Sequence, residues 1–218
     1  MKELSWFRSF VAPVVIEVSG SELNPFLSVE LDCGKYVLNS TNANYSYGSL
    51  HTLFKKTFIK IKPDWSLIRR ALILGFGTGC VAETIHTYNS DCKIDGVEPD
   101  QKIIDLGIKY FNTNDRKNLT IHNDSAERFI KSCNEKYDLI IIDVYIDLNV
   151  PPEIETEQFL TDVRNALNQG GIVIFNKFIT TRAVIEQIPV LKELYEKIFT
   201  DTEILRLMTT GRMFIARK

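Results

Sequence analysis

The segment Gly75-Phe76-Gly77-Thr78-Gly79 follows the apolar run ALILGF and opens what reads as a helix. Glycines at alternate positions let the chain turn tightly and bring backbone N–H groups up to a ligand at a helix start. The spacing is G-x-G-x-G, not the G-x-G-x-x-G of dinucleotide sites, and alone it also fits a plain strand-to-helix turn. Glu98, 19 positions after Gly79, closes the run KIDGVE and precedes Pro99 and Asp100. An acidic side chain at the end of a second strand can accept both hydroxyls of a ribose. The run LTIH then leads to Asp124, Ser125 and Ala126. Asp124 can accept from an adenine amino group while a neighbouring N–H donates to a ring nitrogen. It also reads as a helix N-cap, with Glu127 three positions on completing a capping box. Last, YDLIIID ends in Asp143. A carboxylate at the C-terminal end of a central strand faces the ligand crevice of an open α/β sheet. The four signals in this order describe a site for an adenine nucleoside, with its reactive group beside Asp143.

These residues need a parallel sheet to hold them. From Arg70, apolar strand-like runs alternate with amphipathic helices: ALILGF, KIDGVE, LTIH, YDLIIID and GIVIFN, with helices through His86, Phe111, Ser132 and Leu167. Continuous apolar runs flanked by helices imply strands buried on both faces. A helix over about Ile185 to Ile198 precedes TEILRLM and RMFIARK, which are joined by the hairpin-like turn Thr209-Thr210-Gly211. The expected fold class is therefore α/β and Rossmann-like: a mostly parallel seven-stranded sheet with an antiparallel C-terminal hairpin. Before it, VVIEVSG, FLSVEL and KYVLNS are short, β-branched or aromatic, and separated by Asn24-Pro25 and Asp32-Cys33-Gly34. They predict a small antiparallel N-terminal sheet in a region 1–45. A ligand-binding domain over 46–218 follows, beginning with a helix from Ser46 to Ile61 that aligns Leu50, Phe54, Phe58 and Ile61.

The chain has 218 residues, 44% of them apolar and 25% charged, enough for a sizeable core without staples. A net charge of -2 provides no basic field, so nucleic acid is not an expected partner. Cys33, Cys80, Cys92 and Cys133 form no C-x-x-C pair and have no clustered histidine, so reduced thiols and no metal site are expected. Glu3 and Arg8 interrupt the apolar N-terminus, and no stretch reaches the ~20 apolar residues of a membrane span. A cytoplasmic location with no membrane partner is expected.

The ordered strand-end motifs resemble class I S-adenosylmethionine-dependent transferases over roughly residues 70 to 218. With the N-terminal sheet and TNANYSYGSLH included, nearly the whole chain resembles the spermidine synthase family and its methyltransferase-like relatives. In the synthases an Asp-Glu pair and then Tyr-x-Glu handle the polyamine. Here Tyr47 matches the tyrosine, Ala43 and Asn44 stand at the acidic pair, and Ser49 stands at the glutamate. The family's Gly-Gly-Gly-Asp-Gly has Thr78 at its aspartate. In its Asp-x-x-Asp-Pro, Asp143 matches the first Asp, Ile146 stands at the second, and Asp147 falls one position late.

These departures have a chemical direction. A polyamine site needs several carboxylates to offset desolvation of its ammonium groups, and this stretch lacks them. Thr78 removes a negative charge near the methionine tail, which suits S-adenosylmethionine over its decarboxylated form. The expected activity is therefore methyl transfer to a small molecule. Asp143 and Tyr47 are the catalytic candidates, and Tyr47, His51 and Asp147 the substrate contacts. Gly75, Phe76, Gly77, Thr78, Gly79, Glu98, Pro99, Asp124, Ser125, Ala126 and Asp143 are expected around the cofactor. Two other readings stand: a polyamine aminopropyltransferase using decarboxylated S-adenosylmethionine, and a catalytically silent nucleotide-binding protein. The resemblance also allows a homodimer. Asn176, at the end of GIVIFN, lines the cleft or only ends the strand. Tyr45 stacks on a substrate or packs in the core, and Trp6 and Phe7 read as a packing anchor or subunit contact.

Overall fold

A computed structural model describes residues 2–42, 49–207 and 210–218. Helix α1 (Lys2–Arg8) leads into β1 (Val14–Ser19), β2 (Leu27–Asp32) and β3 (Lys35–Asn39), an antiparallel sheet in that order. After α2 (Ser49–Ile61) come β4 (Arg70–Leu74), α3 (Cys80–Tyr88), β5 (Lys93–Val97), α4 (Gln101–Phe111), β6 (Leu119–His122), α5 (Ala126–Ser132) and β7 (Tyr137–Ile142). A short 3-10 turn at Pro152–Glu155 precedes α6 (Glu157–Ala166), β8 (Leu167–Phe178), α7 (Arg182–Ile198), β9 (Thr200–Arg206) and β10 (Gly211–Arg217).

The large sheet has the order β6-β5-β4-β7-β8-β10-β9. Its first five strands run parallel, and β10 pairs antiparallel with both β8 and β9. The expected Rossmann-like fold with its terminal hairpin and small N-terminal sheet is present. Alternation along β4 shows why the runs are apolar throughout. Leu72 and Leu74 pack with α5, α6 and α7 on one face, while Ala71 and Ile73 pack with α2 and α3 on the other. The N-terminal sheet has its own seam, in which Leu27, Val29 and Leu38 bury against Ile103, Leu106 and Phe111 of α4.

Some local expectations shift. The N-terminal residues form helix α1 where strands and turns were expected, and Trp6 packs edge-on to Phe7 and Phe10. The helix expected from Ser46 is described from Ser49, and Thr209 of the hairpin turn lies outside the described residues. The four cysteines form no disulfide with one another. Among the described residues, no helix is long and apolar enough to cross a membrane.

Candidate active site

Strand order reverses between β4 and β7, since the chain runs from β4 outward to β5 and β6 and then returns across β4 to β7. Ligands of open α/β sheets sit at such a switch point, outside the carboxyl ends of the strands. Here β4 delivers Gly75 beside Asp143 at the end of β7. A Cβ on Gly75, whose φ is +85°, would stand 2.2 Å from the Asp143 carbonyl oxygen, so glycine alone lets these strand ends meet. Phe76 turns back over β5, and a Cβ on Gly96 would stand 2.3 Å from its ring. Gly96, within the run KIDGVE, thus makes room for the loop.

A cavity of about 660 Å³ opens above this point. Gly75, Phe76, Gly77, Glu98, Pro99, Ser125, Ala126, Asp143 and Asp147 all line it, as does Asn176. Glu98 is 6% exposed and accepts from the Gly77 N–H at 2.9 Å and the Asp100 N–H at 3.1 Å. Burial pushes its carboxyl up to about 7; the two amides pull the other way, and the Asp100 charge adds to the rise. Asp143 is half-buried and deep in the cleft. Burial raises it to about 6 against the opposing hydrogen bond from Asn176 Nδ2, at 3.0 Å.

Other expected residues sit elsewhere. Thr78 does not line the cavity. It is 1% exposed, its Cα faces Gly107 of α4, and its Oγ1 has no partner among the described residues. From this buried position off the lining, Thr78 is not placed to select a carboxylated cofactor. Gly79 also lies off the lining, with φ +82° at the start of α3. His51 is half-buried and off the lining, its Nδ1 3.1 Å from Thr84 Oγ1. Asp124 is not the N-cap of α5. Ser125 is, accepting from Arg128 N, while Asp124 accepts from Ser125 N and Arg128 Nε. Asp124 is likewise off the lining. Tyr47, with Ala43, Asn44 and Tyr45, lies outside the described residues.

The structure adds residues that motif spacing did not suggest. Leu23 and Asn24, from the β1–β2 connection, and Asn42, after β3, wall one side of the cavity. Two carboxylates hold these segments. Buried Asp100 accepts from Ser21 Oγ and Asn24 Nδ2, and Asp147 accepts from Ser40 Oγ and from the backbone and side chain of Asn42. Glu127 and Glu153 stand exposed at the mouth. The described lining thus carries six carboxylates, Glu98, Asp100, Glu127, Asp143, Asp147 and Glu153, and no Lys, Arg or His. Glu98, Asp100, Asp143 and Asp147 follow strand ends, Glu127 stands in the first turn of α5 and Glu153 in the 3-10 turn, so no short stretch of sequence displays the set.

The fold and site define a Rossmann-like α/β domain with an acid-lined cleft at its topological switch point. The family model of the spermine/spermidine synthase domain matches residues 63–208, and the chain belongs to that family. A protein of Bifidobacterium longum named probable polyamine aminopropyl transferase is 39% identical over 106 residues, covering 49% of this chain and 23% of that protein. The polyamine aminopropyltransferase of Streptococcus uberis is 32% identical over 110 residues, covering 49% of this chain and 39% of its own. The chain therefore spans well under half the length of these two curated relatives. The crystal structure of spermidine synthase from Thermotoga maritima superposes with a TM-score of 0.74 at 19% identity, covering 94% of this chain and 72% of that one. The similar relatives are named for aminopropyl transfer, which overturns the expectation of a methyltransferase. Counting carboxylates along the stretch around Tyr47 missed those that the fold brings in from elsewhere.

Proposed function

We propose that this chain transfers an aminopropyl group from decarboxylated S-adenosylmethionine to a small amine, with a diamine such as putrescine as the acceptor class. The observation that carries the reading is the composition of the cleft: six acidic side chains and no Lys, Arg or His among its described lining residues. A sulfonium donor with a terminal ammonium and a polycationic acceptor both bring positive charge to that wall. A donor with a carboxylate of its own would meet repulsion without a basic partner. The names of the relatives support the same reading.

The residues suit such a donor. Glu98 retains lone pairs for ribose hydroxyls, Ser125 and Ala126 stand where an adenine edge would lie, and Phe76, Val81 and Ile154 provide apolar contact. The sulfonium supplies an activated leaving group, so the chain has to align the acceptor, exclude water and take a proton. In this reading a primary ammonium gives one proton to Asp143, and the freed lone pair bonds to the propyl carbon. The carbon–sulfur bond breaks with its electron pair passing to sulfur, leaving a neutral thioether nucleoside and a secondary ammonium product.

The test is mass spectrometry of products from putrescine and the decarboxylated donor. Turnover at about 1 s⁻¹ or faster is expected, and Asp143→Asn should lower kcat by about 10²-fold or more. Since the carboxylate form is the base, kcat/KM should fall as pH drops below about 6. No aminopropylated product, or methylated product from S-adenosylmethionine instead, would overturn the reading.

A further inference from the structure

Asp143 does not stand alone at the end of β7. Asn176, at the corresponding level of β8, is 4% exposed and lines the same cavity. A carboxylate only accepts, so the amide edge facing Asp143 must be Nδ2, and it donates to Asp143 Oδ1 at 3.0 Å. The amide Oδ1 is then left pointing elsewhere. It is buried and has no hydrogen-bond partner among the described residues. A buried acceptor without a donor, on a residue lining a cavity, marks a place where a ligand's N–H or O–H belongs.

The backbone beneath Asn176 is fixed from the same loop that carries Asp143. Tyr145 Oη donates to the Asn176 carbonyl at 2.5 Å and accepts from the Phe178 N–H at 2.8 Å. Tyr145 thereby fastens the segment after β7 to the end of β8. It stands inside the stretch where Asp-x-x-Asp-Pro is replaced by Asp143-Val144-Tyr145-Ile146-Asp147. The loop that lost the second acidic position here has a phenol holding it to its neighbour.

We propose that Asn176 is a positioning residue for proton transfer: its Nδ2 turns Asp143 so that Oδ2 faces the acceptor amine, and its Oδ1 takes a second N–H of that amine. The proposal rests on the aminopropyl-transfer reading for the identity of the amine. Once Asp143 has taken one proton, the bond to Asn176 Oδ1 holds the nitrogen in place while it turns about its C–N bond and carries the freed lone pair from Asp143 to the propyl carbon. Aligning that lone pair with the propyl carbon is what an in-line displacement requires. Hydrogen bonding from Nδ2 also favours the ionised form of Asp143, opposing the rise that burial causes.

The test uses the full chain and three variants. In Asn176→Leu, which keeps shape but removes both functions, the ¹³C carboxyl titration of Asp143 without substrate should move to higher pH. An unmoved titration would overturn the donor role. With putrescine and the decarboxylated donor, the acidic limb of kcat/KM should move the same way, with kcat falling about 10–100-fold and the donor KM unchanged. Asn176→Asp keeps an acceptor oxygen but loses the donor and adds a like charge. It should retain the putrescine KM while raising the acidic limb further. Loss of putrescine affinity in Asn176→Asp equal to that in Asn176→Leu would overturn the acceptor role. Tyr145→Phe, which leaves both side chains in place, should give a smaller upward move of the limb. A fall in activity matched by lost thermal stability, with the limb unmoved in every variant, would reduce Asn176 to packing. Inactive wild type would sink the aminopropyl-transfer reading, while the substrate-free titration would still decide whether Asn176 controls Asp143.

Discussion

Glu98 places one carboxylate oxygen on each of two backbone amides, those of Gly77 and Asp100, and burial still lifts it to about 7. Ribose hydroxyls donate to a carboxylate and favour its ionised form, so binding a nucleoside should release a proton near neutrality. Affinity for the decarboxylated donor should rise as pH passes upward through about 7. Glu98→Gln should weaken binding by about 1–3 kcal/mol and abolish that pH dependence. Calorimetric titrations at pH 6 and pH 8 check both, and a pH-independent affinity in the wild type would remove Glu98 from the ribose. Glu98, Gly75 and Asp143 were legible because their positions follow from strand ends alone. Asp124 was only half legible, because two adjacent residues compete for one helix start. Ser125 caps α5 and frees Asp124 to pair with Arg128. Thr78 misled because spacing places it in the loop, while the residue is buried with its Cα against Gly107 of α4.

The N-terminal sheet is tied to the cleft at two places, and both ties are carboxylates beyond the carboxyl ends of interior strands, β5 and β7. Asp100 also caps α4 by accepting from Lys102 N, so one buried side chain joins the end of β5, the start of α4 and the β1–β2 connection. The same residue's N–H holds Glu98. Asn24→Ala removes the 2.7 Å bond to Asp100 and leaves a buried carboxylate short of a donor. It should cost about 1–3 kcal/mol of stability and weaken donor binding as well, because Asn24 itself lines the cavity. Urea unfolding and calorimetry check the two effects, and lost stability with unchanged affinity would confine Asn24 to structure. The strands themselves were legible from their runs, since β4 and β7 are apolar on both faces and bounded by glycine, proline or acidic residues. The docking of β2 and β3 onto α4 was not. Period-two burial says that a face is covered but not which helix covers it. The acid-lined cleft was hidden for the same reason, its carboxylates lying far apart in sequence.

At the scale of the molecule, three carboxyls shifted by their surroundings set opposing pH demands. Asp95 on β5 collects Arg70 from β4, His122 from β6 and Tyr137 from β7. Burial works to raise it, yet the hydrogen bonds from His122 and Arg70 hold it below the ordinary carboxylate range. Its contribution is therefore present above the unfolded value and is lost as pH falls through the folded one. Glu98 and Asp143 act oppositely, with folded values of about 7 and about 6. Between roughly pH 4 and 7 the folded protein holds protons there that the unfolded chain has released, so stability falls as pH rises across that window. With each factor of ten in proton affinity worth about 1.4 kcal/mol, ionising Glu98 and Asp143 in the folded protein costs roughly 6 kcal/mol in total. The ligand-free protein should thus be most stable near pH 4–5, lose stability toward acid as Asp95 protonates, and lose it again toward pH 7. Thermal melts from pH 3 to 9 measure this directly. Glu98→Gln and Asp143→Asn together should flatten the upper decline, and Asp95→Asn should remove part of the acid limb. The cleft's occupant should act on the same window, because a cation beside Asp143 and hydroxyls on Glu98 both favour the ionised forms. The decarboxylated donor should therefore raise the melting temperature more at pH 8 than at pH 5. A larger gain at pH 5, or stability that climbs steadily from pH 5 to 8 without ligand, would mean that Glu98 and Asp143 are not the buried acids that their surroundings make them.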